Sequence, residues 1–343
     1  MQHEITEKKP LLDTKGRVTE FGYARSLILD YNRKDIKASA FRIKEWDYYL
    51  IYNKDYAVAL TVSDNGYMGF DSISLLDFRN KSNKTKSIMN LFPLGKKHLP
   101  YTSEKGDVLV KTDNYLINFK RFDDHREFIF RMNDFKDAKP IEGNIYVDCP
   151  KADSIVNITP FNDKSKAFYY NQKTNCMPSS GKVTFDNQEY IFNKEDSFAV
   201  LDWGRGVWTY KNTWYWASAS GVIDGHLFGL NIGYGYGDNS AASKNMLFYD
   251  NVGHKLEKVE LQIPQKDGKD DFLSPWKVTS SDHRLELEFV PFMDRASNMD
   301  YVVLGSNQHQ VFGKYNGYAI LDDGKKIELK DFVGFAEKVC NKW

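Results

Sequence analysis

Asp202 and Arg205 stand in a stretch, 198–221, that also holds four of the chain's seven tryptophans: Trp203, Trp208, Trp214 and Trp216. A carboxyl group set among indoles loses hydration. That penalises its charged form, raises its pKa and equips it as a general acid near neutral pH. Asp202 is therefore the candidate catalytic residue. Arg205 offers it the opposite fate, an ion pair that neutralises Asp202 and pins a turn bracketed by Gly204 and Gly206. A run built only to fill a core would use Val, Ile and Leu, because each indole N–H needs a hydrogen-bond partner when buried. The four tryptophans and Arg205 thus read as a shaped wall for a ligand. A second aromatic–acidic cluster, Glu45-Trp46-Asp47-Tyr48, echoes Thr213-Trp214-Tyr215-Trp216. Alternation along a strand puts Glu45 and Asp47 on one face and Trp46 on the other; Glu45, Trp46 and Tyr48 join the candidate ligand contacts.

The elements that must position these residues are strands. Asp224-Gly225 lies between two alternating runs, Lys211 to Ile223 and His226 onward, which is the signal of a two-residue type I′ hairpin. Pairing Ile223 with His226 sets Tyr215 opposite Tyr234, Ala217 opposite Ile232 and Ala219 opposite Leu230 on an apolar face. The other face then pairs Trp214 with Gly235, Trp216 with Gly233, Ser218 with Asn231 and Ser220 with Gly229. Glycine opposite an indole leaves room for the ring to lie across the neighbouring strand. That face, with Ser218 and Asn231 as its polar points, is the predicted cavity lining. Elsewhere short runs rich in Tyr, Phe and Val recur between turns such as Asp186-Asn187 and Asp322-Asp323-Gly324, a spacing that predicts an all-β sandwich or barrel. Residues 1 to about 20 read as a loosely attached polar lead-in, and a short helix is expected only near the end.

Charge is balanced, 47 basic against 47 acidic residues, so no global field draws nucleic acid or an anionic membrane. No run is long and apolar enough to span a membrane as a helix, and the amino terminus lacks the apolar core of a secretory signal; a cytoplasmic location is the expectation. Cys149, Cys176 and Cys340 are far apart and form neither a disulfide framework nor a metal-ligand spacing. Gly233-Tyr-Gly235-Tyr-Gly237 sits within a predicted strand with no helix after it, unlike a dinucleotide fingerprint. No metal and no cofactor are therefore expected.

Lys44-Glu-Trp-Asp-Tyr-Tyr49, Ser63-Asp-Asn-Gly-Tyr67, Leu201-Asp-Trp-Gly-Arg-Gly-Val-Trp208, Trp214 to Gly221 and the terminal run from Gly313 through Gly334-Phe-Ala-Glu337 to Trp343 resemble a mainly bacterial family, domain of unknown function 2804 (DUF2804), over nearly the whole chain. More distantly, Glu45-Trp46-Asp47-Tyr48, Tyr169-Tyr170, Gly181 and Leu201-Asp202-Trp203-Gly204 resemble motifs of the AttH and carotenoid 1,2-hydratase group. That resemblance implies an all-β protein of two lipocalin-like barrels or half-barrels, 21–180 and 181–343, with the boundary between about Asp163 and Ser197. It also implies cofactor-free protonation of an alkene, with Asp202 at the acid position, although the group's His-Glu before Trp-Gly is absent here. The function expected is binding of an apolar or amphipathic small molecule in a Trp-lined cavity, with hydratase- or isomerase-like chemistry second. Alternatives are a carbohydrate-binding or carbohydrate-active protein, if the aromatic face is an open groove, and a scaffold, if side chains fill the cavity.

Overall fold

The computed structural model describes residues 2–162, 164–300 and 305–342. Asp163, the early bound of the expected domain boundary, and Trp343, the end of the family-like run, lie outside the described residues. The fold is all-β. Among the described residues the only helical turns are two short 3₁₀ segments, Arg33–Asp35 and Ala40–Arg42; the helix expected near the end is instead a strand.

The strands that build the site are, in chain order, β1 (Lys44–Tyr52), β2 (Tyr56–Asp64), β3 (Met68–Asp77), β4 (Ser82–Leu91), β5 (Phe168–Phe185), β6 (Phe198–Val207), β7 (Lys211–Ile223), β8 (His226–Tyr234), β9 (Leu285–Asp300), β10 (Gly305–Ile320) and β11 (Lys326–Lys342). The first of two curled antiparallel half-barrels runs β4-β3-β2-β1-β6-β5 and continues through Lys139–Asp148, His125–Lys136, Tyr115–Arg121 and Val108–Lys111. The second runs from Val252–Lys255 and Met246–Tyr249 through β8-β7-β11-β10-β9 to Trp276–Ser280 and Val259–Gln262. The chain passes between them at residues 208–210, C-terminal to the expected window, because β6 pairs with β1 and so belongs to the first sheet.

Period-two alternation gives every strand two faces, and in β1, β2, β3 and β6 both are largely buried. One face of each sheet fills its own half-barrel: Tyr49, Ile51, Leu60, Phe128, Leu201 and Trp203 in the first, Ala217, Leu230, Trp276, Phe289 and Tyr315 in the second. The opposite faces meet each other through Leu50, Tyr52, Leu76, Val200, Trp216, Phe312 and Phe335. The lead-in is not loose: Ile5, Leu11 and Leu12 are buried in the first core, and Lys9–Pro10 pairs in parallel with Leu29–Asp30.

The central hairpin has the predicted register from Tyr215 opposite Tyr234 to Ile223 opposite His226. Asp224 and Gly225 have φ of 51° and 82°, as a type I′ turn requires. The ladder stops before Trp214 and Gly235. Gly233 serves another partner than the expected indole, since a Cβ there would meet the Lys244 stem at 3.0 Å; Gly229, opposite Ser220, makes room for Cys176 Sγ, which a Cβ would approach to 2.3 Å.

Candidate functional site

Strand register places two rows of side chains opposite each other between the sheets. Across the first sheet, Lys173, Asp202, Tyr48, Thr61, Ser72 and Ser87 are successive cross-strand partners on β5, β6, β1, β2, β3 and β4. Across the second, Gly233, Trp216, Glu337, Gln310 and Arg295 are successive partners on β8, β7, β11, β10 and β9. Both rows line one cavity of about 440 Å³. It lies between the half-barrels, whose own interiors are occupied by side chains.

Aromatic rings close one end of the cavity. Trp46 stacks on Tyr169 at 5.6 Å and meets Trp208 edge-on at 5.2 Å. Tyr236 touches Tyr169, Trp208 and Trp214. Gly204 makes this possible, since a Cβ there would lie 2.4 Å from the Trp46 ring. Burial pushes the Tyr169 and Tyr236 hydroxyls well above the usual tyrosine range, so both are neutral phenols.

Charged groups sit within this apolar frame. Lys173 Nζ lies 2.7 Å from Asp202 Oδ2 and 3.3 Å from the centre of a Trp216 ring. Asn171 Nδ2 donates to Asp202 Oδ1 at 2.8 Å. Desolvation lowers the Lys173 pKa, against the pull of Asp202. Glu337 accepts from Trp214 Nε1 at 3.0 Å and from Gln310 Nε2 at 3.3 Å. Burial pushes its carboxyl up to about 7, although Lys173 nearby favours the carboxylate. Arg295 donates to Gln310 Oε1 at 2.9 Å and to Ser74 Oγ at 2.7 Å, joining the two sheets. Desolvation, with the Lys173 charge added, pushes the Lys244 amine down to about 7. Thus a carboxylic acid and an amine that both change protonation near neutrality face one cavity, the pattern of acid–base sites.

Asp202, Trp46, Tyr48, Trp208, Trp214 and Trp216 come together at this cavity. Trp203, Arg205 and Glu45 do not, because they occupy the other face of their strands. Trp203 is fully buried in the first core, edge-on to Tyr31 and Tyr170. Arg205 donates to Asp47 Oδ1 at 2.9 Å, and Glu45 accepts from Tyr31 at 2.7 Å and pairs with Arg33. Ser218 and Asn231 lie behind the wall: Asn231 accepts from Trp216 Nε1 at 2.8 Å and Ser218 from Asn175 at 2.7 Å. The expected Asp202–Arg205 turn is instead a continuous stretch of β6, where residues three apart point to opposite sides. The two side chains have separate partners.

Lys173, Lys244, Glu337, Gln310 and Arg295 escaped the sequence reading. A signal existed for Lys173, two and four residues along an alternating strand from Asn171 and Tyr169. For Glu337 the only trace was its place in the terminal run; its position opposite Trp216 depends on a pairing across 120 residues of chain. Among the described residues no group of three or more His, Cys, Asp or Glu side chains is placed to hold a metal ion, and no helix is long and apolar enough to cross a membrane.

The sequence pattern of the family described as Domain of unknown function (DUF2804) matches residues 2–343, and the chain belongs to that family. No curated protein matches it by sequence. Among solved structures it is similar to CghA with Sch210972 (8% identity, TM-score 0.47, 88% of each chain). It is also similar to an AttH candidate from Nitrosomonas europaea (10% identity, TM-score 0.48, 90% of this chain and 96% of that one). A third is kievitone hydratase from Nectria haematococca (11% identity, TM-score 0.47, 93% and 96%).

Proposed function

We propose that this member of the DUF2804 family binds a largely apolar, amphipathic small molecule between its two sheets and transfers a proton to it from Glu337, in cofactor-free hydratase- or isomerase-like chemistry. The observation that carries the reading is a buried carboxyl group, about half protonated near pH 7, facing an aromatic-walled cavity of a size that holds a small ligand. A filled scaffold would leave no such volume. An open sugar-binding groove would leave its tryptophans accessible, whereas Trp208 and Trp216 are each 4% exposed and Trp46 and Trp214 are partly buried.

The chemistry follows from the charges. Glu337, held by Trp214 and Gln310, gives its proton to an unsaturated carbon of the ligand. The positive charge that develops there is attracted to the indole and phenol faces, worth about 0.5–2 kcal/mol per well-placed ring. Asp202, paired with Lys173 and oriented by Asn171, takes the proton of an attacking water in a hydration, or of a neighbouring carbon in an isomerisation. Asp202 thus accepts a proton, and the donor position passes to Glu337. Turnover falls as pH rises above about 7, where Glu337 loses its proton.

The test begins with native mass spectrometry of protein purified from its own host, to identify a co-purifying molecule. Turnover of that molecule is then compared in wild type and Glu337→Gln. Loss of turnover with affinity retained within about twofold is the expected result, since the amide keeps the shape but cannot supply the proton. Full activity in Glu337→Gln overturns the assignment.

A further inference from the structure

The mechanism leaves the Lys244 amine unused. Its stem lies across Gly233, where a Cβ would stand only 3.0 Å from Lys244 Cβ. Its backbone is fixed by N–H to Gly233 O at 3.1 Å and by its carbonyl, which accepts from Asn231 Nδ2 at 2.7 Å. The side chain is thereby aimed into the cavity, where Nζ sits 4.6 Å from the centre of the Tyr169 ring and 5.9 Å from that of Tyr236. Among the described residues those rings are its contacts: Nζ makes no hydrogen bond and no ion pair, while Lys173, the other cavity lysine, takes the carboxylate of Asp202. The residue is 5% exposed. An amine kept from water and set near a second cation is the arrangement that makes lysine a nucleophile.

We propose that Lys244 is a covalent capture site for aldehydes and ketones, forming an imine with a carbonyl-bearing apolar molecule that enters the cavity. This rests on the cavity being a ligand site, as proposed above, and adds to it the chemical class of one ligand. The neutral amine adds to the carbonyl carbon and forms the C–N bond. The proton released by nitrogen passes to oxygen, giving a carbinolamine. That hydroxyl leaves as water with the second proton of nitrogen as the C=N bond forms, so amine plus carbonyl gives imine plus water with no oxidant or reductant. The protonated imine is a flat cation, and the Tyr169 and Tyr236 faces that now meet the ammonium would meet it in turn. With its pKa brought to about 7, about half of Lys244 is the free amine at neutral pH, against fewer than about one in a thousand of ordinary lysines.

The experiment uses the full chain and hexanal with cyanoborohydride at pH 7, which reduces an imine to a stable secondary amine. Intact mass and peptide mapping give the number and place of adducts. The expected result is one fast adduct on Lys244, formed at least about tenfold faster than any surface adduct and absent in Lys244→Arg, which keeps the charge but not the nucleophile. Adducts spread over surface lysines, or one on Lys173, overturn the proposal, as does an unchanged adduct in Lys244→Arg. Should that variant fail to fold, the map on wild-type protein decides alone. Binding of cis-parinaric acid, followed by fluorescence in wild type and variant, reports the cavity separately. Binding without the adduct refutes the lysine; absence of binding refutes the ligand-site reading, and the lysine with it.

Discussion

Strand β6 carries a buried charged cluster on each of its faces, and the two are built differently. Toward the first half-barrel, Arg205 donates to Asp47, Trp46 O, Gly204 O and Pro100 O. Arg121 shares Asp47, while Arg33 and Tyr31 hold Glu45. Toward the second sheet lie Asp202, Lys173, Lys244 and Glu337, with few bonds and the cavity beside them. Every cation of the inner cluster is an arginine, which cannot release its proton in a protein and so must stay charged and paired. The cations beside Asp202 in the outer cluster are lysines, which can deprotonate when desolvated; Arg295 stands further along the Glu337 row, bonded to Gln310 and Ser74. Permanent charges gripped by several partners at once hold a fold in place. Groups that can exchange protonation states beside a cavity can do chemistry.

Breaking an ion pair should therefore cost most on the arginine side. Asp47→Asn leaves Arg121 and Arg205 buried without their shared carboxylate, and a loss of about 3–5 kcal/mol is expected in urea melts. A change under about 1 kcal/mol would remove the distinction between the clusters. Next comes the pH dependence of the outer cluster. The Glu337 pKa is raised on folding, so its stabilising contribution is complete below about 4.5 and is lost as pH rises through about 7. The stability difference between wild type and Glu337→Gln should fall by about 3 kcal/mol across that window and be flat outside it, as read from melts at several pH values. A flat difference throughout would place Glu337 in ordinary solvent. Asp202→Asn should cost less than Asp47→Asn, about 1–2 kcal/mol, because Lys173 can shed its proton once its partner is neutral. An equal cost in the two variants would mean that Lys173 is held charged as firmly as an arginine. Smallest and independent of both clusters is Gly225→Val. A Cβ there meets nothing within 4 Å, so only the left-handed φ of 82° opposes it. The expected loss is about 1 kcal/mol, and an unchanged midpoint in denaturant would refute that backbone cost.

The contrast also marks where reading the residues succeeded. Glu45 and Asp47 sharing one strand face, with Trp46 on the other, follows from alternation and is observed. Which face turns toward the cavity is not in that pattern, because both faces of these strands are buried and neither alternates with solvent. Glycine commonly serves turns, which is what the bracketing of Arg205 by Gly204 and Gly206 suggests. In the fold both remain in β6, Gly204 to let the Trp46 indole lie against the backbone and Gly206 to admit Phe168 O, which a Cβ would approach to 2.2 Å. Parity along the strand then separates Asp202 from Arg205, whatever their charges favour.

The all-β class, the Asp224-Gly225 hairpin with its register, and the aromatic wall of Trp214 and Trp216 are legible in the chain of residues. Each depends on residues near one another in the chain, where turn chemistry and alternation leave few choices. That the wall faces the other half-barrel, that Asp202 pairs with Lys173, and that Glu337 stands opposite Trp216 in the same row as Gln310 and Arg295 emerge only in the folded chain. Those relations are set by which distant strands pair and in what register. A cross-strand neighbour acts through space at about 5 Å, and the side chain that will occupy that place leaves no mark on the local pattern of either strand.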